Sequence, residues 1–129
     1  MPRKNDQYKM HILVCEDNIM TLKTIEHTLK KAGFKVFMAG DGFQGIKILG
    51  KEHIDLVITD INMPYTKGLE LIRHINTKME AKIPVMVISG ITNSETRAHA
   101  AELGAIDYMT KPFDLNIMLE KVKALFAMN

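Results

Sequence analysis

The sequence is short of the features that mark the more specialised classes of protein. It has a single cysteine, Cys15, so no disulfide forms within the chain. Cys15 ends the apolar run Ile12-Leu13-Val14-Cys15, where a free thiol acts as a small core residue, and a reducing cytosolic compartment fits. No run approaches the roughly 20 apolar residues that a bilayer demands, so no membrane span is expected. The opening stretch MPRKNDQYKM is polar and lacks the hydrophobic region of a secretory leader. Neither sign of charge dominates: 17 Lys and Arg stand against 15 Asp and Glu, a formal net charge of +2. Arg3-Lys4 and Lys30-Lys31 fit a solvated N-terminus and a helix end, not the basic stripe of a nucleic-acid binder. Internal repeats, low-complexity tracts and linkers are also lacking. One domain is therefore expected over residues 1–129, with a polar N-terminal extension at 1–9.

What is present is ordinary globular material. With 47% apolar residues over 129 positions, the chain buries a real core without a disulfide or metal staple. Its ten methionines are read as filling for that core. Short apolar runs predict strands at Ile12–Cys15, Val36–Met38, Leu56–Thr59, Val85–Ile88 and Ile106–Met109. Three of the five are continuously apolar, the pattern of strands covered on both faces. Between them lie helical stripes: Ile19, Leu22, Ile25, Leu29; then Phe43, Ile46, Leu49; then Leu69, Ile72, Ile75; then Ala98, Ala101, Leu103; and Leu115, Met118, Val122, Leu125. Gly33, Gly50 and Gly104 fall where helices close, and Asp114 falls at an N-cap. Single helices between strands require parallel pairing with right-handed crossovers. Five such units form an α/β fold with an open, doubly wound parallel sheet, since a closed barrel needs eight. In such sheets ligands sit beyond the carboxyl ends of the strands.

The chemistry gathers at those ends. Glu16 and Asp17 follow the first strand, Asp60 the third, Ser89 and Gly90 the fourth, and Lys111 with Pro112 the fifth. Taken singly, each has an ordinary explanation. Asp17 would cap the first helix, Ser89 would be a loop serine, and Lys111 a surface lysine. An accidental gathering of three carboxylates, a hydroxyl and an ammonium at one edge is far less common. Carboxylates about 4 Å apart repel by about 4 kcal/mol per pair at an effective dielectric of about 20, so a cation must offset them. Oxygen ligands with no His or Cys among them suit Mg2+ and not zinc. A carboxylate is a possible nucleophile toward phosphorus, with Mg2+ and a lysine taking up charge on the transferred group.

These residues resemble the CheY-like receiver domain of two-component response regulators, over roughly Met10 to Phe126. The stretch Asp60-Ile61-Asn62-Met63-Pro64-Tyr65-Thr66-Lys67-Gly68 is similar to the family's phosphoacceptor loop. Glu16-Asp17 resembles its acidic pair, Ser89 its hydroxyl position, and Gly104 to Phe113 its fifth strand and lysine-proline end. The resemblance implies a flavodoxin-like sheet of order 2-1-3-4-5. It implies Asp60 as phosphoacceptor, direct Mg2+ ligation by Asp17 and Asp60, Glu16 acting through water, and the Asn62 main-chain carbonyl as a further ligand. Lys111 would pair with Asp60 and then with the phosphoryl group, Ser89 and Tyr108 would form a conformational relay, and Lys111-Pro112 would be cis. The implied donor is a phosphohistidine on a sensor histidine kinase or histidine phosphotransfer protein. The implied output is a downstream protein target or output domain, without direct contact to nucleic acid or membrane. No turnover enzyme is implied, only self-catalysed phosphorylation and dephosphorylation in the cytoplasm.

Departures from the family pattern are small. Ser89 replaces a frequent Thr, and Gly45 replaces a more usual Ala, which is expected to loosen the second helix. The five histidines, His11, His27, His53, His74 and His99, show no metal-ligand spacing and read as structural. Three other readings are weaker. A degenerate receiver that only binds partners would not keep every chemical position. A flavin binder would not place Glu16-Asp17-Asn18 against a phosphate. A phosphohydrolase would want a substrate-selecting cap.

Overall fold

The computed structural model of the chain describes residues 9–62, 67–80 and 82–127. Met63, Pro64, Tyr65 and Thr66 of the loop after Asp60 lie outside them, as does most of the N-terminal extension. Strands and helices alternate: β1 (His11–Cys15), α1 (Ile19–Lys31), β2 (Lys35–Ala39), α2 (Gly42–Lys51), β3 (Leu56–Asp60), α3 (Gly68–Lys78), β4 (Val85–Ser89), α4 (Ser94–Leu103), β5 (Ala105–Thr110) and α5 (Leu115–Ala127). The five strands form one parallel sheet in the order β2-β1-β3-β4-β5, as the resemblance implies. Of the three continuously apolar runs, β1 and β4 lie inside the sheet and are buried on both faces along with β3, whereas Val36–Met38 lies in the edge strand β2 and is not. The edge strands β2 and β5 are only partly covered.

Alternation along each strand divides the core in two. Leu13, Cys15, Val57, Val85 and Val87 point to the face covered by α2, α3 and α4, where they meet Leu49, Leu71, Ile72, Ile75 and Ala100. Ile12, Val14, Leu56, Ile58, Met86 and Ile88 point to the face covered by α1 and α5, against Ile25, Leu29, Met118 and Val122. Burying each such aliphatic side chain stabilises the fold by about 1.5–3 kcal/mol. Met86, Met109 and Met118 fill the core as expected, while Met20 and Met38 are exposed.

Caps and stripes follow the sequence with informative exceptions. Gly33 and Gly104 have φ of 100° and 118°, the left-handed backbone that closes α1 and α4 without a Cβ penalty. Gly50 does not close its helix. It lies inside α2, which runs to Lys51 and is capped by Glu52 in an extended conformation. Asp17 is not the cap of α1; Asn18 is, its side chain accepting the Thr21 N–H at 3.0 Å. Asp114 caps α5, its carboxylate accepting the N–H groups of Asn116 and Ile117. Ile19 and Phe43 share the period of their stripes and sit in the first turns of α1 and α2, yet both are exposed. In α4 the buried residue is Ala100, not Ala98 or Ala101.

Gly45 has a packing reason instead of a loosening one. A Cβ there would stand 2.7 Å from the Cys15 sulfur and under 4 Å from Leu71, so its absence lets α2 close onto β1. Burial pushes the Cys15 thiol up from its ordinary 9.0 to about 12, against a smaller opposing hydrogen bond with Thr59. Two outcomes follow. Gly45→Ala gains about 1 kcal/mol of helix propensity but overpacks Cys15 at a cost of about 1–3 kcal/mol, so it lowers stability in urea melts. In a Cys15→Ala background the same change is neutral or stabilising, and equal effects in both backgrounds would refute the contact. The native thiol resists thiol reagents near pH 8 and reacts only on unfolding. Because its folded pKa is raised, the stability it contributes is complete below pH 9.0 and is lost as pH rises toward about 12.

Candidate functional site

Parallel pairing brings the carboxyl ends of β1, β3, β4 and β5 to one edge, and with them every residue singled out there. Asp60 and Ser89 are the last residues of β3 and β4. Glu16 directly follows β1, its N–H held by the Ala39 carbonyl, and Lys111 directly follows β5, its N–H held by the Ser89 carbonyl at 2.7 Å. The Lys111-Pro112 bond is cis, as expected. The backbone therefore aims these side chains through strand register, with no loop of their own to wander in.

Lys111 stands at the centre. Its ammonium donates to Asp60 Oδ2 at 2.7 Å and also to Glu16 Oε1. Glu16, Asp60 and Ser89 are buried, whereas Asp17 and Asn62 are exposed. The second oxygen of each buried carboxylate is also held: Asp60 Oδ1 accepts the Asn62 N–H at 3.1 Å, and Glu16 Oε2 accepts the Asn18 N–H at 3.0 Å. One oxygen from each of Glu16, Asp17 and Asp60 lies within 4.8 Å of the others. Three hard oxygen donors at that spacing fit a small divalent cation that keeps some of its water.

Burial pushes the Glu16 carboxyl above its ordinary 4.5, more than the Lys111 and Asn18 hydrogen bonds pull it down, with the Asp60 charge adding to the rise. Lys111 moves up from 10.5 even though its own desolvation acts downward, because it faces two carboxylates at once. The directions are compatible. One cation shared between two acids is held firmly, while each acid receives only part of its charge.

Ser89 and Tyr108 are joined through one residue, Ile91. The Ile91 N–H donates to Ser89 Oγ at 3.1 Å, and the Tyr108 hydroxyl donates to the Ile91 carbonyl at 2.7 Å. The Tyr108 hydroxyl thus reaches the loop after β4 instead of standing in water. Ile91 and Arg97, which touches Tyr108, went unnoticed in the sequence. Arg97 lies three residues before the buried Ala100, and that shared face was the available signal. At the opposite end of the sheet His11 and His53 meet, His11 Nδ1 lying 2.7 Å from the His53 carbonyl oxygen and His53 pairing with Asp55. They are far in register from the acidic edge and read as structural.

A five-stranded doubly wound sheet with an acid–lysine–hydroxyl cluster at its carboxyl edge defines a class, and comparison with known proteins agrees. The sequence pattern of the response regulator receiver domain matches residues 12–123, and the chain belongs to that family. It is 37% identical over 119 residues to the cell cycle transcriptional regulator CtrA of Caulobacter vibrioides, covering 90% of this chain and 50% of that protein. It is 38% identical over 104 residues to the aerobic respiration control protein ArcA of Escherichia coli, covering 81% and 43%. The chain thus spans about half the length of these relatives or less. Among solved structures, chemotaxis response regulator CheY4 of Vibrio cholerae superposes with a TM-score of 0.84 at 26% identity, over 90% of this chain and 98% of that one. The Francisella response regulator 1452 receiver domain shares the fold, with a TM-score of 0.87 at 23% identity over 93% and 98%. The protein is a two-component response-regulator receiver.

The shared lysine generates a stability prediction. Lys111→Met leaves Glu16 and Asp60 as uncompensated neighbours, at a cost of about 2–3 kcal/mol near pH 7. That is below the full cost of breaking a buried pair, because Lys111 is partly exposed. Glu16 has a raised folded pKa, so its ionised form opposes folding, and protonation relieves it as pH falls through that value. The deficit of Lys111→Met in denaturant melts with chelator therefore shrinks toward pH 4. A deficit constant with pH would assign it to lost packing of the lysine stem.

Proposed function

We propose that this receiver takes a phosphoryl group on Asp60 from a phosphohistidine. The observation that carries the reading is the Lys111 ammonium bound jointly by Glu16 and Asp60, with Asp17 and Ser89 at the same strand edge. A bond forms between an Asp60 carboxylate oxygen and phosphorus as the donor's nitrogen–phosphorus bond breaks, and the imidazole nitrogen leaves with the electron pair. Lys111 stays within reach of the incoming group and exchanges its Asp60 contact for a phosphoryl oxygen. Ser89 already accepts from the Ile91 N–H, so its own proton is free to donate to another phosphoryl oxygen. Fixed donors of this kind cost no reorganisation when charge develops.

Mg2+ is the metal we assign to the acidic cluster; Asp17, Asp60 and the Asn62 carbonyl would hold it, with Glu16 acting through water. When bound it supplies charge neutralisation for the transferred group. The chain promotes only its own phosphorylation and dephosphorylation and turns over no separate substrate.

The donor side is a protein, a sensor histidine kinase or a histidine phosphotransfer protein. Ile19 and Met20 are 66% and 78% exposed at the start of α1. Beside Met20 an open groove of about 490 Å³ runs past Thr24, Pro112 and Phe113 to Lys111 itself. Exposed apolar side chains bordering the reactive edge suit a macromolecular partner more than a small ion. Downstream, the phosphorylated form acts on a protein target or output domain, through the Ser89–Tyr108 relay and without touching nucleic acid or membrane itself. No helix among the described residues is long and apolar enough to cross a membrane, and we place the protein in the cytoplasm.

With Mg2+ and a small acyl phosphate, intact mass should rise by one phosphoryl group, and Asp60→Asn should abolish the gain. A modification that survives this substitution and maps to a histidine would sink the reading. Asp17 is exposed, so Asp17→Asn should move stability in chelator by less than about 0.5 kcal/mol. It should nevertheless weaken the stabilisation gained on adding Mg2+. An undiminished Mg2+ effect would remove Asp17 from the metal site.

A further inference from the structure

The contacts around Ser89 close into a circuit. From Ser89 Oγ it passes through the N–H and then the carbonyl of Ile91 to the Tyr108 hydroxyl. The Tyr108 ring lies under the Arg97 guanidinium, whose carbon is 4.8 Å from the ring centroid. The same guanidinium donates to Thr110 Oγ1 at 3.2 Å. Thr110 is the register partner of Ser89, and the next N–H, that of Lys111, donates to the Ser89 carbonyl. Arg97 is the one member of this ring that lies on α4, and it touches β5 in two places.

The helix it belongs to gives those contacts leverage. Within Ser94–Leu103 only Ala100 is buried, whereas α1 buries Leu22, Ile25 and Leu29, and α3 buries Gly68, Leu71, Ile72 and Ile75. A helix with so little apolar anchorage belongs to the low-stability end of a fold, so its seating is sensitive to the few directed contacts it makes. An exposed arginine over an aromatic ring is common by itself. The second contact, on the hydroxyl of the residue preceding Lys111, ties this one to the reactive edge.

We propose that Arg97 is a positioning residue for the phosphoacceptor site. By clasping the Tyr108 ring and the Thr110 hydroxyl, it keeps α4, Ile91 and Ser89 arranged so that the Ser89 proton is free for the phosphoryl group. The proposal rests on the reading of Asp60 as phosphoacceptor. Arg97 itself touches neither Asp60 nor the transferred group, and acts through Tyr108 and Thr110.

The test uses the full chain labelled with fluorotyrosine, the Tyr108 resonance among the three tyrosines being assigned with Tyr108→Phe. Arg97→Met keeps the side-chain stem and removes the guanidinium. In the unphosphorylated protein it should move the Tyr108 resonance toward that of free fluorotyrosine. Amide exchange over Ser94–Leu103 should accelerate at least tenfold, with exchange in α1 and α3 unchanged. Its phosphorylation rate with a small acyl phosphate and Mg2+, followed by intact mass, should fall at least fivefold. Arg97→Lys, which keeps a cation and a donor, should recover part of that loss. Thr110→Val, which removes the Oγ1 contact while leaving the sequence of α4 intact, should lower the rate in the same direction. An unmoved Tyr108 resonance overturns the clasp. A moved resonance with a rate within twofold of the parent also overturns it, since Arg97 would then order Tyr108 without serving the site. If the parent chain accepts no phosphoryl group at all, the reading of Asp60 fails, and the fluorine and exchange measurements still decide the clasp.

Discussion

Everything at the reactive edge depends on one ammonium shared by two buried carboxylates. Lys111 binds Glu16 and Asp60 together, and so ties the ends of the neighbouring strands β1 and β3 to that of β5, from which β4 separates them. Without it, two buried acids would stand uncompensated, at a cost of about 2–3 kcal/mol. Its placement between them offsets part of that cost and fully satisfies neither acid. That leaves an edge whose charges still favour a further cation and an incoming anion.

The sheet makes this arrangement inexpensive. Each reactive side chain is the last residue of a strand or the one just after it, so register alone fixes its height. Ser89 stands opposite Thr110, Asp60 opposite Ile88, and Cys15 opposite both Ala39 and Thr59. Beneath Glu16 the floor is tight: the Cys15 sulfur occupies the space that a Cβ at residue 45 would need. The side chain missing from α2 at Gly45 is thus part of how the acidic edge is supported.

Much of this was legible in the sequence, because its strongest signals are periodic and local. Continuous apolar runs identified the buried strands β1 and β4 but also Val36–Met38, which lies in the partly covered edge strand β2, and Gly33, Gly104 and Asp114 marked helix ends through backbone chemistry of their own. The edge residues were found because strand ends in a parallel sheet must converge. The misses share a physical origin. Ile19 and Phe43 keep the helical period yet are exposed, since period does not encode what a helix's first turn packs against. Gly50 looked like a stop signal, but closing α2 needed no left-handed residue. Gly45 appeared to weaken a helix, because its benefit lies on another strand. Arg97 was silent, since its partners Tyr108 and Thr110 become neighbours only when α4 packs beside β5. The loop residues Met63 to Thr66, which supported the family resemblance, lie outside the described residues.

The slight anchorage of α4 has a consequence for how such a protein changes over generations. A helix that commits chiefly Ala100 to the core can exchange most of its other side chains without opening a cavity. Its outward surface is therefore free to diverge while the acid–lysine edge and the two apolar layers stay fixed. Lineages descended from one ancestral sheet can acquire different α4 surfaces at little cost in stability. Duplicated copies can in this way drift toward separate partners before either loses the chemistry it inherited.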